Sequence, residues 1–356
     1  MRVIFGFSRI KRHRKPVVAL GVFDGVHRGH INILRGTSHK ARNIRGTSIV
    51  LTFWPHPQRQ ESLYSLEHRL RLIAEKGIDV CVVIKFNKKF ARISATGFIK
   101  DILFKKFHAH YVYVGKNFRF GKGAKGDFKN LSKLSKIYNF KLKLFKVIKI
   151  KNKPISSTYI RSLIKKGDLK AAKRLLSRPV SILGTVIKGS FLARKLGFPT
   201  ANINPHHEVI PPSGIYAVRI IFDGIGKYKI LYYTSPPALL HKAKQGGKKI
   251  WPEAALLKSY LPLGKFSCEK KFYGICYIGT NPTLKAQKSI HVEVHIFNFM
   301  KNIYGKDLEI QFVKKIRDEK KFASCQSLVK QVKKDILRVK GIFYYAPQHV
   351  IEGRAS

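Results

Sequence analysis

The chain has 356 residues, of which 44% are hydrophobic and 12% aromatic, so it has apolar material for about two domains and is too apolar to be disordered. No apolar run reaches about 18 residues, the length of a membrane-spanning helix, and the basic start of the chain lacks the apolar core of a secretion signal. The four cysteines form no CxxC pair, so we expect neither a zinc site nor a disulfide framework and place the protein in the cytoplasm.

The formal net charge is +52, from 71 Lys and Arg against 19 Asp and Glu. Residues 1–180 carry 42 basic and 8 acidic side chains, and residues 181–356 carry 29 and 11, so both halves are basic. A nucleic-acid-binding protein often concentrates positive charge in a patch or tail, whereas these lysines are dispersed. We therefore expect solvated basic faces that attract small anions such as nucleotides, and no specific nucleic-acid partner.

Strand-like and helix-like runs alternate through the first 180 residues. In chain order they are the strand Val17–Gly21, the helix Ile31–Arg45, the strand Ser48–Phe53, the helix Leu66–Glu75, the strand Val80–Ile84, the helix Thr96–Lys105 and the strand Tyr111–Val114. Such alternation predicts a parallel, doubly wound sheet. Ser157–Leu176 follows as one or two further helices.

After Pro179 the pattern changes to short β-rich runs separated by Gly, Pro and Asn, which predicts an antiparallel barrel or sandwich. The runs are Ile182–Ile187, Ile215–Phe222, Lys229–Tyr233, Phe272–Ile278 and His291–Phe299. A helical pattern at Ser324–Leu337 closes the chain. We predict one domain at 1–180, a second at 181–340, and a loosely ordered tail at 341–356.

The string GVFDGVHRGH at 21–30 follows a predicted strand and opens a predicted helix. Its glycines let the backbone approach a phosphate, and the helix N-terminus favours anions. Histidines three residues apart can donate hydrogen bonds to charge that develops on an α-phosphate. Two histidines alone would fit a capped glycine turn equally well, but the whole string favours a phosphate site. That site would comprise Gly21, Phe23, Asp24, Gly25, His27, Gly29 and His30.

This string resembles the HxGH nucleotidylyltransferase signature of the bacterial bifunctional riboflavin kinase/FMN adenylyltransferase (FAD synthetase) family. Further motifs follow in the order typical of that family. In the first half they are TFWPHP at 52–57, VGKNFRFGKG at 114–123 and ISSTYIR at 155–161. In the second half they are LGFPTAN at 196–202, GIY at 214–216, IGTNPT at 278–283 and EVH at 293–295. The resemblance extends over residues 15–340.

The resemblance implies an α/β plus β fold, in which an N-terminal Rossmann-like nucleotidylyltransferase domain precedes an antiparallel β-barrel riboflavin kinase domain with a C-terminal helix. It also implies two reactions that use ATP as co-substrate together with Mg²⁺. The second domain would phosphorylate riboflavin to FMN, and the first would adenylylate FMN to FAD with release of pyrophosphate. FMN is thus both a product and a substrate.

The resemblance also assigns roles in the first domain. His27, His30 and Arg161 would stabilise the phosphates during transfer. Ser157 and Thr158, at a helix start, would hold the triphosphate, although SSTYIR by itself also fits an ordinary helix cap. Flavin contacts are implied for His56, Asn117, Phe118 and Arg119. His56 would equally fit a purely structural loop, and Phe118 would equally fit core packing.

In the second domain Glu293 is a lone carboxylate in an apolar, strand-like run, on the same face as His295 and Phe297. The resemblance makes Glu293 the base that accepts the riboflavin hydroxyl proton. An exposed position on an edge strand is the competing interpretation of this residue.

The remaining kinase assignments concern ATP and its metal. Thr200 and Asn202 offer hard oxygen ligands for Mg²⁺ and the ATP phosphates. Gly189 and the loop at 194–197 would cover the phosphates.

Several positions depart from the pattern of the family. Ala193 stands where a glycine is usual, Cys276 and Tyr277 where a small residue and Asn are usual, and Trp54 where a polar residue is usual. Residues 233–271 exceed the usual hairpin connection and are predicted to be a surface insertion. These departures leave open a narrower function, in which the chain retains only the FMN adenylyltransferase activity and its kinase is impaired.

Two more hypotheses remain, and the first of them belongs to a different class of protein. One is a nucleic-acid-binding protein that keeps this fold, which the charge suggests and the dispersed lysines disfavour. The second is an HxGH transferase that acts on pantetheine phosphate or a cytidylyl acceptor, which the LGFPTAN half disfavours. We expect small-molecule partners, no membrane association, and a monomer or weak oligomer.

Overall fold

The computed structural model describes residues 1–8, 10–57, 61–150, 152–189, 193, 196–206, 208–222, 230–232, 271–280 and 290–345. They form two compact units that divide after Ser157, and the first unit also includes the segment at 230–232. The predicted insertion, apart from its last residue Lys271, and the tail beyond residue 345 lie outside the described residues. The predicted domain boundary at 180 stays a prediction.

The strands, in chain order, are β1 (Arg2–Phe5), β2 (Val17–Leu20), β3 (Ser48–Trp54), β4 (Val80–Lys85), β5 (Tyr111–Gly115), β6 (Lys141–Phe145), β7 (Lys149–Ile150), β8 (Lys153–Pro154), β9 (Val180–Ile187), β10 (Ala201–Asn204), β11 (Gly214–Phe222), β12 (Leu231–Tyr232), β13 (Phe272–Thr280), β14 (Ile290–Ile296) and β15 (Asp307–Arg317). The helices are α1 (Arg28–Asn43), α2 (Leu66–Ala74), α3 (Lys88–Ala91), α4 (Ala95–Gly97), α5 (Phe128–Ile137), α6 (Ser157–Lys165), α7 (Leu169–Leu176) and α8 (Cys325–Lys340). Two π-helical segments continue α4 and α8, at Phe98–Phe104 and Gly341–Tyr345.

The first unit is built on a parallel sheet with the strand order β12-β1-β4-β3-β2-β5-β6. This confirms the predicted parallel sheet, and the four residues of β2 are all buried in it. The chain moves outward from β2 through β3 to β4, and then returns to add β5 and β6 on the other side of β2. Ligands of open α/β sheets bind beyond the carboxyl ends of the strands at such a reversal, which here is the end of β2.

The second unit contains a closed antiparallel barrel with the strand order β10-β14-β13-β11-β15-β9. The structure thus decides between the predicted barrel and sandwich. Along β14 Val292 and Val294 are buried, and Glu293 between them points to the opposite face, as the alternation of a strand requires. The barrel therefore carries Glu293 on its outer surface.

Two predictions about the second half are wrong. The run Lys229–Tyr233 does not join the barrel: its described part, β12, pairs in parallel with β1, and the Leu231 N–H donates to the Met1 carbonyl at 3.0 Å. An edge strand such as β1 has unpaired backbone N–H and C=O groups, and β12 pairs with these. The tail is also not loosely ordered at 341–345, because Phe343 stacks on Tyr273 with 4.3 Å between ring centroids.

Several lysines that contribute to the high positive charge lie on solvated positions of the first unit. Lys141 and Lys143 occupy exposed positions of β6, alternating with partly buried leucines. Lys40 and Lys141 lie over the Tyr111 ring, 4.5 and 5.8 Å from its centroid. Lysine stems can cover apolar surface while their charged ends stay in water. Lysines at such positions therefore leave the core of the first unit undisturbed.

A buried carboxylate joins α8 to the barrel. Asp335, 3% exposed, accepts hydrogen bonds from Arg317 Nε at 2.9 Å and from Gln331 Nε2 at 2.9 Å. Its Oδ2 also lies 2.8 Å from Arg317 Nη2, so the guanidinium is bound through two nitrogens.

We predict that Asp335→Ala lowers the free energy of unfolding of the second unit by about 3 kcal/mol, because it leaves the Arg317 charge unpaired. Urea denaturation followed by circular dichroism measures the change. Asp318→Ala is the matched control, since that side chain is 87% exposed and pairs with Lys315 at the surface. Equal midpoints for the two variants would contradict the prediction.

Candidate active sites

The turn after β2 carries the predicted phosphate site. Gly21 donates its N–H to the Leu51 carbonyl at 3.2 Å, which ties the start of the turn to β3. Phe23 and Gly25 adopt left-handed backbone conformations, with φ of 54° and 75°. A Cβ on Gly25 would lie 2.5 Å from Leu63 Cδ1, so a glycine is needed there. Asp24 is buried and its Oδ1 accepts the Leu63 N–H at 2.9 Å.

The two histidines of the turn lie face to face. His27 caps α1, and its Nδ1 accepts the His30 N–H in a long bond of 3.4 Å. The imidazole rings stack with 3.7 Å between centroids and 16° between planes, and the Phe23 ring meets His30 edge-on. Gly29 lies between them in the first turn of α1. The structure therefore brings both imidazoles to the N-terminus of a 16-residue helix, where anions are favoured.

Ser157 joins this turn from far along the chain. Its Oγ donates to the Asp24 carbonyl at 2.8 Å, which brings the start of the ISSTYIR motif against the histidine turn. Thr158 follows directly in α6, and Arg161, four residues after Ser157, lies on the same face of that helix. Both belong to the second compact unit, and their phosphate contacts stay predictions.

The predicted flavin contacts follow the ends of β3 and β5. His56 is half-buried just after the cis Trp54–Pro55 peptide. Asn117 is exposed, and Arg119 pairs with Asp127, the cap of α5, at 3.3 Å.

Phe118 differs from these because it packs against the core of the first unit and stacks on Phe120 at 5.7 Å. It thus has a packing role, and a flavin contact of any of these side chains stays a prediction.

Sequence reasoning missed a buried cation beside the histidine turn. Arg69 of α2 is 0% exposed and donates from Nη1 to the Val22 carbonyl at 2.8 Å and from Nη2 to the Phe53 carbonyl at 3.1 Å. Burial lowers the pKa of its guanidinium from the usual value, and the Asp24 carboxylate opposes this shift. The signal was available, because Arg69 occupies a position between Leu66 and Ile73 on the apolar face of α2.

The second candidate site lies on the outer surface of the barrel. Thr200 Oγ1 donates to Glu293 Oε2 at 3.2 Å, and Asn202 is the cross-strand partner of Glu293 between β10 and β14. A Cβ on Gly189 would lie 2.0 Å from Asn202 Nδ2, so the glycine leaves the space that this amide occupies. The structure therefore brings together Gly189, Thr200, Asn202 and Glu293. Of the predicted 194–197 loop, Leu196 and Gly197 alone are described.

His295 has a part that the sequence did not indicate. Its Nδ1 donates to the Pro199 carbonyl at 2.8 Å, and its ring meets Phe198 edge-on at 6.4 Å. The imidazole thereby ties the LGFPTAN segment to β14, two residues from Glu293.

The three departures from the family pattern in the second half are compatible with the structure around them. Ala193 has helical backbone, so no glycine is needed there, and its carbonyl accepts the Phe198 N–H at 2.9 Å. Cys276 is fully buried, and burial raises the pKa of its thiol. Tyr277 lies across the strand pair from Glu293, and its hydroxyl donates to Glu319 Oε1 at 2.5 Å.

Two family models match the chain. Residues 9–159 match the family described as FAD synthetase, and residues 176–343 match the family described as riboflavin kinase.

Curated relatives match over nearly the whole length. A bifunctional riboflavin kinase/FMN adenylyltransferase of Buchnera aphidicola subsp. Schizaphis graminum is 32% identical over 355 residues, covering 96% of this chain and 99% of the relative. The protein of the same description from Escherichia coli K12 is 31% identical over 352 residues, covering 96% and 98%.

A solved structure supports the fold. The crystal structure of a protein described as a macrolide-efflux protein from Streptococcus pneumoniae superposes with a TM-score of 0.70 at 25% identity, covering 94% of this chain and 97% of that one. In the described part of this chain, no helix has the length and apolar character to cross a membrane.

Proposed function

The chain belongs to the bifunctional riboflavin kinase/FMN adenylyltransferase family, and from that premise we propose how its residues divide the two reactions. The enzyme phosphorylates riboflavin to FMN and adenylylates FMN to FAD, using ATP in both steps. The observation that carries the proposal is that each unit has its own convergent set of polar groups. In the first it is the stacked histidine pair beside Ser157, and in the second it is Thr200 with Glu293.

In adenylyl transfer, a phosphate oxygen of FMN attacks the α-phosphorus of ATP, and the bond from that phosphorus to the bridging oxygen breaks as pyrophosphate leaves. Positioning and charge stabilisation supply most of the catalysis for such transfers. Because His27 Nδ1 accepts the His30 N–H, neutral His27 carries its proton on Nε2 and can donate it to a phosphate oxygen. His30 supplies the second imidazole.

The remaining groups of the first site hold the substrates. Gly21, Phe23, Asp24, Gly25 and Gly29 shape the turn around the phosphates. Ser157, Thr158 and Arg161 bind the triphosphate, with support from the bond between Ser157 and the turn. His56, Asn117, Phe118 and Arg119 face the flavin in this proposal, because they follow the carboxyl ends of β3 and β5.

In riboflavin phosphorylation, the terminal ribityl oxygen attacks the γ-phosphorus of ATP and ADP leaves. Glu293 accepts the hydroxyl proton, and the Thr200 hydroxyl holds that carboxylate at 3.2 Å. Gly189 leaves room for the Asn202 amide beside the phosphates.

Thr200 and Asn202 fit a magnesium ion. The Thr200 hydroxyl directs its proton to Glu293 and keeps its lone pairs for a cation, and the amide oxygen of Asn202 is another hard donor. Magnesium bound with a nucleotide takes a few protein oxygen ligands together with substrate phosphates, which suits this pair of side chains. When bound, Mg²⁺ neutralises charge on the ATP phosphates.

The competing hypotheses receive less support. Ala193 and Cys276 fit the barrel without displacing Thr200 or Glu293, so they give no reason for a lost kinase. The curated relatives carry flavin names across both halves, which disfavours a nucleic-acid binder or a different HxGH transferase. A cytoplasmic monomer or weak oligomer stays our proposal.

The proposal as a whole is tested by chromatography of the products that the purified chain forms from ATP, Mg²⁺ and either riboflavin or FMN. FMN and FAD should form from riboflavin, and FAD from FMN. No product from either flavin would overturn the proposed function.

His30→Ala should lower FAD formation from FMN about 100-fold, because one donor to the α-phosphate is lost. Riboflavin phosphorylation by the same protein should stay within twofold. His39→Ala, an exposed position of the same helix, should change neither rate. Comparable losses in both reactions would argue against the assignment of His30 to the first site.

Glu293→Gln should have the opposite selectivity. The amide keeps the size of the side chain but cannot accept the hydroxyl proton, so FMN formation should fall about 100-fold while FAD formation from FMN is retained. Glu309→Gln on β15 serves as the control. A variant that still forms FMN at the wild-type rate would remove Glu293 from the role of base.

Gly189→Ala should displace the Asn202 amide, because its Cβ would lie 2.0 Å from Nδ2. We expect FMN formation to fall about tenfold and the Mg²⁺ concentration for half-maximal rate to rise, since a cation ligand is misplaced. Gly341→Ala is the control: a Cβ there would have no atom within 4 Å, so neither the rate of FMN formation nor the Mg²⁺ requirement should change. An unchanged Mg²⁺ requirement in Gly189→Ala would show that Asn202 is not a ligand of the metal.

A further inference from the structure

Arg69 is a buried charge that neither reaction uses. It belongs to α2, and it is 0% exposed although Arg71, two residues later on the same helix, pairs with Glu67 in a partly exposed position. Burying a guanidinium is costly unless hydrogen bonds or an opposite charge compensate for the water that it loses. The compensation therefore indicates what Arg69 does.

The hydrogen bonds of Arg69 go to two different segments, the turn after β2 and the end of β3. Its Nη1 donates to the Val22 carbonyl at 2.8 Å, immediately before Phe23 and Asp24 of the histidine turn. Its Nη2 donates to the Phe53 carbonyl at 3.1 Å, at the end of β3. The guanidinium carbon also lies 5.5 Å from the centroid of the Trp54 ring. One planar group thus binds the starts of both segments that carry the first site.

Other contacts keep α2 and the turn together. The Leu63 N–H, just before α2, donates to Asp24 Oδ1 at 2.9 Å. Thr52 Oγ1 gives the Val22 carbonyl a second donor at 2.9 Å. Arg69 and Thr52 thus both donate to the Val22 carbonyl. The histidine turn can therefore shift relative to β3 only if both of these hydrogen bonds break.

The following inference rests on the proposed function. We propose that Arg69 is a positioning residue for adenylyl transfer. It holds the histidine turn and the TFWPHP segment at the separation that ATP and FMN require. An arginine suits this role better than a lysine, because its rigid fork reaches two acceptors at once. Arg69 touches no substrate in this proposal and acts through the Val22 and Phe53 carbonyls.

The experiment is steady-state kinetics of Arg69→Met with FMN and ATP, below the melting temperature of the variant. We expect kcat for FAD formation to fall about 100-fold and the KM values for ATP and FMN to rise about fivefold, since small misplacements of reacting groups are this costly. Riboflavin phosphorylation by the same sample should stay within twofold. The rise in KM is decisive, because a loss of folded protein lowers the apparent kcat alone.

Three further variants sharpen the test. Arg71→Met, the control on the same helix, should leave all constants unchanged. Arg69→Lys keeps the charge and one donor, and should recover part of the lost kcat. Thr52→Val removes the second donor to the Val22 carbonyl and should raise the same KM values more weakly, even where Arg69→Met fails to fold.

Unchanged KM values in Arg69→Lys and Thr52→Val would overturn the proposal, as would an Arg69→Met variant that loses only kcat in proportion to its folded fraction. These results are distinct from failure of the proposed function, in which the wild-type chain itself would form no FAD.

Discussion

Backbone carbonyls just beyond the last paired residue of a buried parallel strand need other hydrogen-bond donors, because the sheet no longer supplies them. The first unit meets this need with the Arg69 guanidinium and the Thr52 hydroxyl, which converge on the Val22 carbonyl. The same guanidinium serves the Phe53 carbonyl at the end of the neighbouring strand. Because the stacked histidines begin only five residues after Val22, their position depends on a helix that contributes no group to the chemistry.

The second unit reaches its site by a different physical route. On a closed barrel, alternate residues of each strand point outward, so neighbouring strands can present side chains on one surface without a buried charge. Asn202 and Glu293 lie opposite each other in this way, and Thr200, just before β10, donates to the same Glu293. His295 of the same strand as Glu293 donates to the Pro199 carbonyl next to Thr200. One chain thus combines a site formed by loops at a sheet edge with a site formed by strand register.

Periodicity and motif spacing predicted much of this architecture. The strands β2 to β5 lie within two residues of the predicted runs, since continuous apolar stretches mark strands buried on both faces. The glycine turn and the helix after it follow from the string at 21–30, because its backbone requirements are local. Two available signals were missed: the alternation of Leu308, Ile310 and Phe312 in β15, and the charge of Arg69 on an apolar helix face.

By itself the sequence determined the α/β and β halves, the histidine turn and the candidate catalytic residues, because these depend on local backbone preferences and on recurring patterns of residue types. The tertiary structure alone decided that β12 pairs with β1, that Ser157 binds the Asp24 carbonyl, and that Gly189 makes room for Asn202. The bond from Ser157 to Asp24 joins groups 133 residues apart, and the strand pairing likewise joins remote segments. Such contacts leave no periodicity in the chain, since they form only when packing has fixed the distance between the elements.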